Sequence, residues 1–141
     1  MLIRRPTADR HGSVAVELAI LLPLLVFLAV IGVDYARVFS RTLILESASR
    51  NAALYACQDS DKAIDTTGIR AVAQKDLTDV SPTPTVTSST YTGTDGFLHV
   101  KVTVAMTFTT VTNFPGVPHQ SNLSRTTDMR VCPKTPKPGT F

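Results

Sequence analysis

The sequence predicts an α+β fold: a long N-terminal helix that crosses a membrane and continues as a spine, a second short helix, and a small three-stranded antiparallel sheet. Three observations carry this. Ser13–Val33 contains a single charge, Glu17, in an otherwise apolar stretch, and a helix of that length reaches about 31 Å, close to the roughly 30 Å hydrocarbon core of a bilayer. Neither Pro nor Gly interrupts residues 33–57, so the helix continues beyond the apolar block. From Pro82 onward the composition turns to Thr, Ser and Val, the residues of strands.

The helix is expected from about Val14 to about Tyr55. Pro23 lies inside it, removing one backbone donor and bending the axis, which membrane helices tolerate. Past Val33 the pattern becomes amphipathic: Tyr35, Val38, Phe39, Thr42, Leu43, Leu45, Ala48, Ala52, Ala53 and Tyr55 recur at three and four, with Arg37, Arg41, Glu46 and Arg50 between them. Asp59-Ser60-Asp61 breaks the chain. Ile64, Ile69, Val72, Ala73, Leu77 and Val80 then predict one shorter helix, starting between Ser60 and Gly68 and stopped at Ser81-Pro82 because the residue before proline is pushed out of the helical region.

Thr85–Tyr91 reads as a weak strand, followed by a turn with two glycines at Thr92–Gly96. The next strand is the clearest element after the long helix. Leu98, Val100, Val102, Val104, Met106 and Phe108 alternate with His99, Lys101, Thr103, Ala105, Thr107 and Thr109, the pattern of a half-buried strand. Asn113–Pro118 is a rigid connector, and Leu123–Cys132 supplies the third strand with Met129 and Val131 inward. The expected organisation is therefore a basic leader at 1–12, the membrane half of the helix at 13–33, its extracytoplasmic half at 34–57, a small α+β domain at 58–132 and a flexible tail at 133–141. Helices followed by a run of strands is an α+β order.

Net charge is +3, but Arg4, Arg5 and Arg10 against Asp9 place +2 of it in the leader. The rest has no basic stripe and no interleaved aromatics, so a nucleic-acid partner is not expected. Positive charge ahead of the apolar run favours a cytoplasmic N-terminus and an exported C-terminal domain. A removable signal peptide would need a small-x-small site after the apolar run, where Val-Ile-Gly-Val-Asp-Tyr-Ala-Arg stands instead, so the helix is expected to be retained.

Catalytic signals are sparse. His11, His99 and His119 have no metal-ligand spacing, no phosphate loop or nucleophile elbow occurs, and Asp59, Asp61 and Asp65 read as a solvated helix start. No enzymatic activity, metal or cofactor is expected. Cys57 and Cys132 each close an element, and outside the cytoplasm they are expected to pair in a disulfide worth roughly 4 kcal/mol in the chain-entropy account; the alternative is two unpaired thiols.

Glu17 is the residue that a plain membrane anchor would not need. An acid in such a segment costs about 2.5–3.5 kcal/mol on insertion scales and is usually kept for function. Cleavage between Gly12 and Ser13 would give Ser13 a new α-amine one helical turn away, able to meet Glu17 of the same chain or of a neighbour. Gly12-Ser13-Val14-Ala15-Val16-Glu17 resembles the processing site of type IV-like prepilins and pseudopilins. The fuller run through Leu18-Ala19, Leu22-Pro23 and Asp34-Tyr35-Ala36-Arg37 is more specifically similar to TadE-like minor pilins of the bacterial tight-adherence, or Flp-type, pilus system.

That resemblance covers residues 10–57 and implies a pilin-like fold and a non-enzymatic minor pilin or pilus-assembly protein supporting adhesion. It implies cleavage between Gly12 and Ser13 by a membrane prepilin peptidase, with Glu17 serving recognition or subunit registration. It also implies residence in the inner membrane or pilus, with the lipid bilayer, other pilins and the assembly platform as partners. Leu18 stands where an aromatic is commoner, which points away from the major filament subunit. The alternative is an unprocessed, signal-anchored extracytoplasmic binding domain with recognition loops at Gly93–Gly96 and Asn113–Pro118, in which Glu17 marks the cytoplasmic edge of the helix.

Overall fold

A computed structural model describes residues 11–110 and 119–133. The expected connector at Asn113–Pro118, most of the leader and nearly all of the tail lie outside the described residues. The first element, α1, is one helix from His11 to Ala56 that runs through Pro23 without interruption. Two short helices follow, α2 (Ser60–Ile64) and α3 (Thr66–Asp76), and then three strands, β1 (Thr85–Thr92), β2 (Leu98–Thr109) and β3 (Gln120–Arg130). The strands form an antiparallel meander with β2 in the centre.

The expected single second helix is two, and it stops earlier than Val80. Asp65 causes the break: its backbone leaves the helical region, and its carboxylate instead accepts the Gly68 amide at 2.9 Å as the N-cap of α3. Tyr55 at the end of α1 donates its hydroxyl to the same carboxylate at 3.1 Å. A side chain at Gly68 would collide with both groups, so glycine is what lets the cap and the tyrosine share that space. Ile69 and Ala73 of α3 are buried as expected, and so are Leu77 and Val80 beyond its end, whereas Ile64 is exposed.

The alternation in β2 is realised: Val100, Val102, Val104, Met106 and Phe108 are buried and Leu98 is half-buried. Register places Val100 against Met129 and Val102 against Thr127 on β3, and Val86 of β1 against Val104. This face packs on α1, which also carries α3, so the core lies where the helix, α3 and the sheet converge.

Full burial of apolar side chains on α1 begins only at Leu45. Leu45, Ala48, Ala52, Ala53 and Ala56 are fully buried, and the small side chains bring the helix axis close to both neighbours. Tyr35, Phe39 and Leu43, expected on the same inward face, are exposed instead. Ser49 is fully buried among the alanines. Its hydroxyl donates to the Glu46 carbonyl at 3.0 Å and lies 2.8 Å from the Thr127 hydroxyl; having one proton, it accepts from Thr127 while donating to Glu46.

Ala52→Leu should overfill this seam and lower unfolding stability by about 1–3 kcal/mol in chemical denaturation of the full chain.

Candidate functional site

The segment with functional signals is the first half of α1. Its side chains from Val14 to Val33 are exposed on every face, and none of the most apolar window is buried within the protein. With a mean hydropathy of 2.9 over that window, this helix is long and apolar enough to cross a membrane. A helix apolar all round requires an apolar environment, so length and composition here are those of a membrane anchor. Gly12, Glu17 and Pro23 lie along this exposed helix. The described helix already includes His11, so the expected scissile bond between Gly12 and Ser13 falls within helical backbone. Glycine there weakens the helix by up to about 1 kcal/mol relative to alanine, which eases local unwinding.

Where the apolar block ends, α1 acquires a charged collar. Asp34 is largely buried and receives a hydrogen bond from Arg37 at 3.3 Å. The Arg37 guanidinium also sits 5.4 Å above the ring centroid of Phe108, at the far end of β2. Arg41, one turn on, donates to the Asp79 carbonyl at 3.3 Å. These contacts tie the sheet and the segment after α3 to the helix just beyond the anchor. The sequence carried a signal for the ion pair, an Asp and an Arg three apart on a helix, but none for Phe108, which is distant in the chain.

The opposite end of the domain holds a second polar cluster that the sequence did not reveal. His99 is expected as a solvated strand residue. In the structure its Nε2 lies 3.2 Å from both Asp95 oxygens and its Nδ1 3.4 Å from Asp128 Oδ1. Tyr91 stacks on the imidazole with centroids 5.4 Å apart and donates its hydroxyl to Asp128, while Arg130 covers Phe97 at 3.4 Å from the ring centroid. Asp95, chiefly through its hydrogen bond, and then Asp128 raise the His99 pKa above the ordinary imidazole value. Asp95 is lowered, first by the Phe97 amide that donates to it and then by His99.

A hollow of about 420 Å³ lies on the sheet, lined by Pro82, Thr85, Met106, Asn122 and Leu123 among others, with no titratable side chain among the lining residues. No group of three metal-ligating side chains occurs among the described residues. The backbones of Cys57 and Cys132 are brought together at the end of α1 away from the apolar block, where the Cys132 amide donates to the Cys57 carbonyl at 2.8 Å; both cysteines are free thiols here.

Residues 12–54 match the family model of TadE, described as TadE-like protein. This agrees with the resemblance read from Gly12 through Arg37 and is consistent with a TadE-like protein of the tight-adherence pilus system. No curated protein and no solved structure gives a significant match.

The His99 cluster yields a pH prediction. A raised folded-state pKa means that its contribution is complete below the unfolded imidazole value near 6.5 and is lost as pH rises through the folded value. His99→Gln should flatten the dependence of thermal midpoint on pH above about 6.5, measured by pH-resolved melts of both proteins.

Proposed function

We propose that this chain, TadE-like over residues 12–54, is a minor pilin or pilus-assembly protein of a tight-adherence pilus. In this reading a prepilin peptidase cuts between Gly12 and Ser13, the apolar helix stays in the inner membrane or passes into the pilus, and the α+β domain lies outside the cytoplasm. The protein performs no catalysis and supports adhesion through assembly. The observation that carries this reading is that the family match, residues 12–54, opens on the Gly12–Glu17 motif and runs directly into the exposed apolar surface of α1.

Two further features support it. After cleavage the Ser13 amine stands at the positive end of the α1 dipole, one turn from Glu17, where a carboxylate offsets both charges. Beyond the anchor, Tyr35, Phe39 and Leu43 stay uncovered at four-residue spacing, so the apolar stripe of the helix extends past the bilayer segment toward the domain. Such a stripe suits the helix of a neighbouring pilin, packed by ridges and grooves.

Mass spectrometry of the membrane-extracted protein from cells carrying the peptidase should show an N-terminus at Ser13. An intact Met1 start would overturn the processing step and favour an unprocessed anchored domain. Glu17→Ala should reduce surface piliation at least several-fold while membrane insertion is retained or improved, the removed charge being unfavourable in lipid. Quantitative pilus shearing beside membrane fractionation separates the two effects, and unchanged piliation would assign Glu17 to the helix edge alone.

A further inference from the structure

The end of the domain away from the apolar block is closed by main-chain contacts. Cys57 sits in the turn that follows α1, and its amide donates to the Ala53 carbonyl at 2.9 Å. Two residues after β3, the Cys132 amide donates to the Cys57 carbonyl at 2.8 Å, and just before it the Val131 amide donates to the Leu98 carbonyl at 2.8 Å. Val131 is buried, so this end of the chain is seated.

The hydrogen bond sets a geometric limit. With standard bond lengths it holds the two Cα atoms within about 6.7 Å of each other, inside the roughly 4.4–6.8 Å that disulfides span. Burial raises the Cys57 pKa, and the neighbouring Cys132 thiol raises it further. Cys57 Sγ now points at the Leu54 carbonyl at 3.4 Å, a weak contact that a side-chain rotation gives up.

From this juxtaposition we infer that Cys57 and Cys132 close an intramolecular disulfide by exchange with an oxidising dithiol protein, locking the last strand to the end of the spine helix. That such a donor reaches these thiols rests on the placement of the domain outside the cytoplasm. Cys132 is exposed and Cys57 only partly so, which orders the steps. The Cys132 thiolate attacks one sulfur of the donor disulfide, forming a mixed disulfide and releasing the donor's other sulfur as thiolate. The Cys57 thiolate then attacks Cys132 Sγ and expels the first donor sulfur. The chain loses two electrons and two protons, and the donor leaves as a dithiol. The closed ring contains α2, α3 and all three strands, so pulling on the domain is transmitted to α1 through a covalent bond.

The test uses the full chain, reduced in detergent micelles and then given oxidised glutathione. Closure predicts a mass lower by two hydrogens, loss of both alkylatable thiols, and a midpoint higher by roughly 10 °C or more than that of the reduced form. Cys57→Ser and Cys132→Ser should each take up one glutathione instead. A wild-type chain that carries two glutathiones, or that only cross-links to a second copy, overturns the pairing. Alkylation trapping in cells separates the two premises: a bridge that forms in micelles yet is absent from cells retains the pairing and overturns the extracytoplasmic placement.

Discussion

The structure depends on one continuous helix, α1, whose backbone ladder gives up a donor at Pro23 and whose two halves carry different surfaces. Because an α-helix keeps its hydrogen bonds within the segment, the same backbone is stable in lipid and against a protein core. Only the side chains change. From Val14 to Val33 they are exposed and, Glu17 apart, apolar; from Leu45 a seam dominated by alanine takes over. A broader seam of large residues would hold the sheet and α3 further from the helix axis. Ser49 and Thr127 place one satisfied hydroxyl pair inside that seam, and a pair whose geometry is specific favours one docking of β3 over its slid alternatives.

Between the apolar block and the seam lies the collar. Asp34 and Arg37 are spaced to pair on one helix face, and Phe108 gives the guanidinium an apolar floor. The collar holds the near end of the sheet while Val131 and Cys132 hold the far end, so β2 is fixed to α1 at both extremities. The edge strands need no comparable anchoring. Ser, Thr, Arg and Asn populate the outer strand β3, and charge and polarity along such an edge discourage unwanted pairing.

Elements with a strong period were legible in the sequence. Helix α1 and strand β2 follow from apolar repetition over many residues, and the meander follows from the turn between β1 and β2. What the sequence concealed were events decided by one side chain or by distant contacts. Asp65 divides the second helix because its carboxylate is a better partner for Gly68 than another helical turn would be. Tyr35, Phe39 and Leu43 fit the helical period of a buried face, yet the narrow seam starts later and rotates past them. His99 looked solvated because its two carboxylates come from a turn and from another strand. At the candidate site, Gly12, Glu17 and Pro23 were legible as a linear motif on a continuous helix, whereas the link from Arg37 to Phe108 needed the fold.

The seating of Cys132 against the end of α1 also fixes one pole of the molecule. From Val33 to Ala56 the helix rises by roughly 35 Å, so Cys132, hydrogen-bonded to Cys57, lies about that far along the spine from the end of the apolar block. A fluorophore attached at Cys132 would report on the pole of the protein away from the apolar block. A label near Thr110 and His119, whose pairing closes the opposite end of the sheet, would sample the collar side. The molecule thus has two addressable poles, and their separation along α1 provides an internal ruler for its tilt.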